Sequence, residues 1–302
     1  MAVISKLLYM LALLGVGIGG RYVGVLTETW TDRLTWFAFY VALPALVFRS
    51  TFSQPLGKVL SPTLVVGLWA ALLGVALISW VVHRRKASRA TRSVAVVQSY
   101  HCNFGFLGLP IVAMTFGDLA TAKASILLGI GALTQVPLTI LLLVTINNAD
   151  ASLRDELGGI ARNPVIAALV VGLAFSSFGL GVPAPVLAGL DALSTLALPI
   201  ALLSVGASFS LDLGAIDVPT VSSVVALKVF VMPAIALAAF TLLAADPTTL
   251  RAGVVMLAMP TAVSTFIYAS ELGGDARLAS TNVFATTVVS LGTVLVLLQF
   301  LG

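Results

Sequence analysis

The stretch HCNFGFLGLPIV, from His101 to Val112, places a polar residue and three helix-breaking residues inside a long apolar segment. Gly and Pro are the poorest helix formers, by about 1 and 3 kcal/mol relative to Ala. Pro110 lacks an N–H, and Gly105 and Gly108 let the backbone unwind and a ligand approach closely. The stretch therefore predicts a helix that is interrupted near its midpoint and starts again at about Gly108.

A second stretch, AMPTAVST, combines Pro260 with three hydroxyl residues in another apolar segment. A helix that restarts at such a break presents free N–H groups and about half a positive charge. If two such ends face one point, they predict an anion site without buried Lys or Arg, and a carboxylate is the natural ligand. The alternative is a pair of proline kinks with glycines that only serve packing. The predicted substrate-binding residues are Asn103, Gly105, Gly108, Pro110, Pro260, Thr261, Ser264 and Thr265.

Other polar residues of the apolar segments support weaker predictions. His101, Gln135 and Asn282 could line the cavity. His101 could equally be a hydrogen-bonded packing residue, and the two amides could simply join helices. Arg49 is interpreted as an anchor that extends to the membrane surface, with a counter-ion at an outer gate as the alternative.

The composition indicates an integral membrane protein made of α-helices. Of the 302 residues, 59% are hydrophobic and 9% are charged, and the mean hydropathy is +1.10. The apolar residues form long blocks without the alternation of a membrane β-barrel. One Cys and two His exclude a disulfide framework and a zinc finger. No cofactor, metal or nucleic-acid partner is predicted, and without a His-Glu-x-x-His helix a metalloprotease is excluded.

Charged residues and loops divide the chain into about ten spans of roughly 20 residues. The first span is preferred to a signal peptide because no clear cleavage site precedes Arg21. The predicted spans are 3–26, 33–53, 61–82, 93–117, 121–146, 160–179, 187–210, 219–243, 249–271 and 276–300.

Lys and Arg predict the orientation of these spans in the membrane. The connection HRRKASRATR, which follows span 3, should be cytoplasmic. That orientation places ten Lys and Arg on the inner side and five on the outer side, with Lys228 left within span 8. Both termini are then predicted outside, in a multi-pass protein of the cytoplasmic (inner) membrane.

The two halves of the chain repeat the same features in the same order. Pro62 opens span 3 and Pro219 opens span 8, and Pro110 and Pro260 interrupt spans 4 and 9. Residues 1–148 and 149–302 are therefore predicted to be two five-span repeats, of which the second is inverted because five is odd. Inverted repeats with interrupted helices at matching positions are typical of secondary transporters.

These motifs resemble a known family. NFGFLGLP fits the fourth span of the auxin efflux carrier family, which groups plant PIN-type carriers with bacterial malonate permease-like transporters. RNPVIAALVVGL, ALPIALLSVGASF and MPTAVSTFIYASELGGDARLASTNVFATT are similar to its spans 6, 7 and 9–10. The short connection between spans 5 and 6 indicates the bacterial branch.

The resemblance implies an all-α membrane fold of ten helices in two inverted repeats, in which helices 4 and 9 cross at their breaks, as in sodium/proton antiporters and bile-acid symporters. Helices 1, 2, 6 and 7 would form a scaffold that dimerises, and helices 3–5 and 8–10 a mobile transport domain. The implied substrates are organic anions, auxin-like or dicarboxylate. Asn103, Pro110 and Pro260 match family positions, whereas Thr261 stands where plant members tend to have Gln.

The sequence therefore predicts a secondary carrier of organic carboxylates that works by elevator-type movement, with membrane lipid and a second copy of the chain as partners. The alternative is a Na⁺- or H⁺-coupled symporter of the bile-acid type, although no acidic residue lies beside the breaks. A sodium/proton antiporter would need a central Asp or Glu, and no predicted span has one. An enzymatic activity is not predicted.

Overall fold

The computed structural model describes residues 2–86, 88–149, 158–159, 162–208 and 217–301. Apart from one isolated bridge, these residues form only helices, turns and irregular segments. The helices are α1 (Ala2–Tyr22), α2 (Glu28–Thr51), α3 (Pro62–His83), α4 (Arg89–Tyr100), α5 (Phe104–Phe116), α6 (Asp118–Asn147), α7 (Pro164–Phe178), α8 (Ala184–Ala207), α9 (Val218–Leu242), α10 (Pro247–Leu257), α11 (Ser264–Glu271) and α12 (Ala276–Leu301).

Six helical segments of the described chain are long and apolar enough to cross a membrane: α2, Leu56–His83 (which contains α3), α6, α8, α9 and α12. Shorter apolar helices occupy Leu8–Tyr22, Phe104–Phe116 and Pro164–Phe178. Large apolar side chains such as Leu77 and Phe300 are exposed along these helices, at 66% and 73%. The predicted all-helical membrane architecture is confirmed at this level.

Helix ends differ from the predicted spans where local capping was overlooked. The first helix stops at Tyr22 rather than residue 26, since Gly24 adopts a left-handed φ of 77°. The second starts at Glu28 rather than residue 33, because the Thr27 hydroxyl accepts a hydrogen bond from the Trp30 N–H. The sixth predicted span starts at Pro164 rather than residue 160, behind the N-cap Asn163. The predicted spans 93–117 and 249–271 are each two helices, α4–α5 and α10–α11.

Three π-helical stretches each end two residues before a proline. Ala38–Ala42 precedes Pro44, Phe104–Gly108 precedes Pro110, and Ala226–Val231 precedes Pro233. A proline ring clashes with the carbonyl one turn earlier and removes a donor, so a wider turn relieves both problems.

The helices pack in two groups. In the first, α1 packs on α8, and α2 packs on α7 and α8. Gly17 of α1 and Gly206 of α8 bring two backbones together, since a Cβ on Gly17 would lie 2.5 Å from the Leu203 carbonyl oxygen. In the second group, α3 packs on α4 and α9, α6 packs on α4, α5 and α10, and α12 packs on α9 and α11. Contacts between the groups run mainly through α2 with α6 and α8 with α5.

An ion pair joins α6 to the start of α10. The nearly buried Lys123 places its Nζ 2.8 Å from Asp246 Oδ2. Partial burial raises the pKa of Asp246, but hydrogen bonds from Lys123 and Thr249 outweigh it and leave the pKa at about 2. The carboxylate also caps α10 by accepting the Thr249 N–H, so one side chain fixes both elements.

Candidate functional site

The two helix breaks lie directly against each other. Cys102, between α4 and α5, pairs in antiparallel fashion with Thr261, between α10 and α11. The Asn103 N–H donates to the Pro260 carbonyl at 2.9 Å, and the Ala262 N–H donates to the His101 carbonyl at 3.2 Å. Backbone groups that leave one helix are thus paired with those that leave the other, as non-helical backbone at membrane depth requires.

Gln135 of α6 holds the unwound residue Cys102 from the side. Its Oε1 accepts the Cys102 N–H, and its Nε2 donates to the Cys102 carbonyl, both at 3.0 Å. The amide side chain therefore satisfies both backbone groups of one residue, and it fixes the position of the break relative to α6.

Asn103 caps the helix that follows the break. Its Oδ1 accepts the Phe106 N–H at 3.1 Å, and its carbonyl accepts the Gly108 N–H at 3.1 Å. The side chain is 5% exposed. α5 therefore has a defined N-terminus at the break, with the positive end of its dipole directed to it.

A cavity of 260 Å³, here called the break cavity, lies beside these N-termini. Its lining includes Asn103 to Phe106 from the start of α5 and Ala262 to Ser264 before and at the start of α11. The first helix group contributes Phe39 and Leu43 of α2 and Asn163 and Val165 at the start of α7. No Lys, Arg, Asp or Glu side chain is found among the described residues of this lining.

The structure brings five of the predicted residues together at the break cavity: His101, Asn103, Gly105, Gln135 and Ser264. A Cβ on Gly105 would meet no atom closer than 3.9 Å, so this position has room.

The other predicted residues lie near the breaks but outside the lining of this cavity. A Cβ on Gly108 would lie 2.7 Å from Met256 Sδ, so this glycine allows α5 to approach α10. Thr261 and Thr265 are fully buried, and their hydroxyls donate to the carbonyls of Gln98 and Ala262. Pro260 uses its carbonyl for Asn103.

A second cavity, of 410 Å³, is lined by Pro110, Ala113 and Met114, further along α5 than the break cavity. Arg49 of α2 and Asp191 of α8 form an ion pair in its wall, with Nε 2.5 Å from Oδ1. The Arg49 guanidinium also lies over the Phe52 ring, 5.6 Å from its centroid. Arg49 is thus partly buried and forms an ion pair between two helices, in addition to any role as an anchor at the membrane surface.

The sequence profile of the family described as membrane transport protein matches residues 2–298. The chain belongs to this family. The resemblance to the auxin efflux carrier family is thereby confirmed, and the family and the relatives below are transporters rather than enzymes.

Three relatives match this membrane transport protein over nearly their whole length. An "Uncharacterized transporter" of Methanothermobacter thermautotrophicus is 26% identical over 95% of this chain and 94% of its own. A "Putative malonate transporter" of Rhizobium meliloti is 22% identical over 93% and 92%. A second uncharacterized transporter, from Methanocaldococcus jannaschii, is 26% identical over 94% of both chains.

In this transporter, His101 is a packing residue in the described state. Its ring Nδ1 lies 2.8 Å from Thr139 Oγ1, and the same hydroxyl lies 3.0 Å from the Tyr100 hydroxyl. The imidazole is 1% exposed although it lines the break cavity.

Sequence reasoning missed Gln98, which organises a buried network behind the breaks. Its Nε2 donates to Thr265 Oγ1 at 2.9 Å, and its Oε1 accepts from Asn282 Nδ2 at 2.8 Å. Asn282 therefore forms a hydrogen bond between two helices inside the bundle. The same signal that marked Gln135, an amide inside an apolar span, would have identified Gln98.

Proposed function

We propose that this chain is a secondary transporter of organic carboxylate anions and that the substrate binds in the break cavity. One observation carries the proposal: two helix N-termini border a cavity that has no charged side chain among its described lining residues. Fixed N–H dipoles suit a carboxylate without holding it too tightly for release. Asn103, Gly105 and Ser264 then supply the contacts, and a malonate-sized or larger acid is the expected guest.

We further infer elevator-type movement of one helix group against the other. α1, α2, α7 and α8 form the scaffold, and the remaining helices form the transport domain. Both cavities lie between the groups: Phe39 and Asn163 face Gly105 in one, and Arg49 faces Pro110 in the other. Two cavities that border successive parts of α5 suit access from alternate sides of the membrane. The repeats are inverted about this centre, and helices α4–α5 and α10–α11 cross there as spans 4 and 9.

The proposal places the protein in the cytoplasmic membrane with both termini outside, as a homodimer that associates through scaffold helices. The exposed apolar side chains would contact lipid, and a cytoplasmic position of the basic segment from Arg84 to Arg92 follows the usual charge bias.

A thermal-shift screen of the purified protein tests the site. We use acetate, malonate, succinate and indole-3-acetate, because together they vary size and charge. A ligand at 100 times its Kd should stabilise the protein by about 2.7 kcal/mol. If none of the four acids raises the melting temperature, the proposed substrate class is wrong.

A reversible cross-link tests the movement. The Ser50 and Ser125 hydroxyls, on α2 and α6, lie 3.2 Å apart across the two groups. The double variant with Ser50→Cys and Ser125→Cys should stop transport when oxidised, keep carboxylate binding, and recover on reduction. Each single variant is the control, and transport that continues in the fully cross-linked protein would refute the elevator.

A coupled symporter is the second candidate, and the break residues favour H⁺ over Na⁺ in it. The buried polar residues of the described chain include amides and hydroxyls but no Asp or Glu. A potential of about 100 mV, inside negative, is worth about 2.3 kcal/mol per charge and drives export of an uncoupled anion. In reconstituted vesicles, a carboxylate flux that does not change with the clamped membrane potential would exclude uniport. A flux that requires Na⁺ would favour the bile-acid-type alternative.

A further inference from the structure

Lys228 is a buried amine next to the break. It lies in the π-helical stretch of α9, and its side chain is fully buried. Its Nζ lies 2.7 Å from Cys102 Sγ and 3.1 Å from Met232 Sδ. Neither partner is a carboxylate, and none of the three ion pairs of the described residues includes Lys228.

The other ionisable groups on the packed elements leave Lys228 without a negative neighbour among the described residues. Near the break they are Tyr100 and His101, whose side chains both bond to Thr139, and His101 lies within electrostatic range of Lys228. Asp217 caps the start of α9 and pairs with Lys86. Towards the helix ends lie His83 on α3, Arg89 and Arg92 on α4, Arg251 on α10 and Arg277 on α12.

Cys102 connects this amine with the break cavity. The residue is part of the cavity lining, and its Sγ contacts Lys228 Nζ. A buried ammonium without a counter-charge is unfavourable, and ionisable residues inside a membrane usually serve function. An anion in the cavity would provide the missing counter-charge across the width of one residue.

We propose that Lys228 and Cys102 form a proton-accepting pair that takes up one proton when a carboxylate binds in the break cavity. This inference rests on the proposed function, since it needs an anion at that site. The empty pair holds one shared proton, as thiol with amine or as thiolate with ammonium. Binding adds one proton from solvent and gives thiol with ammonium, and release of the anion returns it. The transporter thereby carries H⁺ with its substrate.

Proton uptake on binding is the direct test. The carboxylate that gives the largest thermal shift among acetate, malonate, succinate and indole-3-acetate is added to purified protein in weakly buffered solution with a pH-sensitive dye. The wild type should take up close to one proton for each anion bound. In vesicles clamped at zero potential, a pH difference of one unit across the membrane should support about tenfold accumulation of a monocarboxylate on the alkaline side.

Two variants assign the proton to its residue. Lys228→Met keeps a similar volume next to two sulfur atoms and should lose the proton uptake. Lys123→Met is the matched control and should retain the uptake, since Lys123 is also buried but pairs with Asp246, and neither residue lines the break cavity.

The outcomes separate the two proposals. If no acid binds the wild type, the carboxylate site and the coupling fall together. If an acid binds without proton uptake, the coupling alone is refuted, and this wild-type result holds even where Lys228→Met does not fold. Uptake that persists in Lys228→Met would assign the proton elsewhere and overturn the inference. Loss of the uptake in His101→Gln would then identify the imidazole as the acceptor.

Discussion

Replacing Asn103 by Asp should strongly weaken carboxylate binding while leaving the fold intact. Asn103 lines the break cavity and caps α5 with its Oδ1. A carboxylate is an equally good N-cap and suits the positive end of the helix. Asn103→Asp therefore keeps the structural role of the side chain and adds one negative charge to the wall of the cavity.

The size of the effect follows from the cavity. A volume of 260 Å³ equals a sphere of about 4 Å radius, so a bound carboxylate lies roughly 5 Å from a charge on the wall. Two unit charges at that distance repel by about 3 kcal/mol at an effective dielectric constant of about 20. We expect binding to weaken by on the order of a hundredfold.

The assay is a binding isotherm of the purified protein with the acid selected by thermal shift. Asn103→Ser keeps a capping oxygen without charge and should weaken binding far less. Thr27→Asp places the same charge on the exposed N-cap of α2, outside the cavity, and should bind like the wild type. If Asn103→Asp melts like the wild type and binds within threefold of it, no carboxylate lies beside this residue.

Three further outcomes probe the framework around the site. Gln135→Leu leaves the Cys102 N–H unpaired, while the Cys102 carbonyl keeps its bond from the Phe104 N–H, and it should lower the free energy of unfolding by about 1–3 kcal/mol, measured by thermal unfolding; an unchanged melting temperature would show that Gln135 does not hold the break. Gly17→Ala drives a methyl group into the Leu203 carbonyl and should destabilise by about 1–3 kcal/mol, whereas Gly19→Ala on the same helix meets no atom and should be neutral or stabilising. Because the pKa of Asp246 is depressed to about 2, its contribution to the free energy of unfolding is present above about pH 4 and is lost as the pH falls towards 2. For this half-exposed group we expect about 1 kcal/mol, and Asp246→Asn should remove that pH dependence of unfolding.

The positions of the two helix breaks could be predicted because their causes are local. Pro110 and Pro260 remove backbone donors whatever surrounds them, and the stretches HCNFGFLGLPIV and AMPTAVST begin directly after the observed ends of α4 and α10. Span lengths follow from apolar composition for the same reason. Capping was equally local but was overlooked at Thr27, so α2 starts earlier than predicted.

The members of the site were harder to predict than its location. Gly105 and Gly108 look alike in sequence, yet Gly105 borders the break cavity and Gly108 lets α5 approach α10 closely. The difference depends on which face of a helix meets a neighbour, and near a π-helical stretch the usual 3.6-residue spacing no longer gives that face.

By itself, the sequence determined the membrane class, the family and the two interrupted helices, since apolar length and proline chemistry act along the chain. Only the tertiary structure decided that Cys102 meets Thr261, that Gln135 clamps the break and that Lys228 lies behind it. Gln135 and Cys102 are 33 residues apart, and Lys228 and Cys102 are 126 apart. Such pairs are formed by packing between helices, where a buried polar group must find whichever partner the fold brings to it.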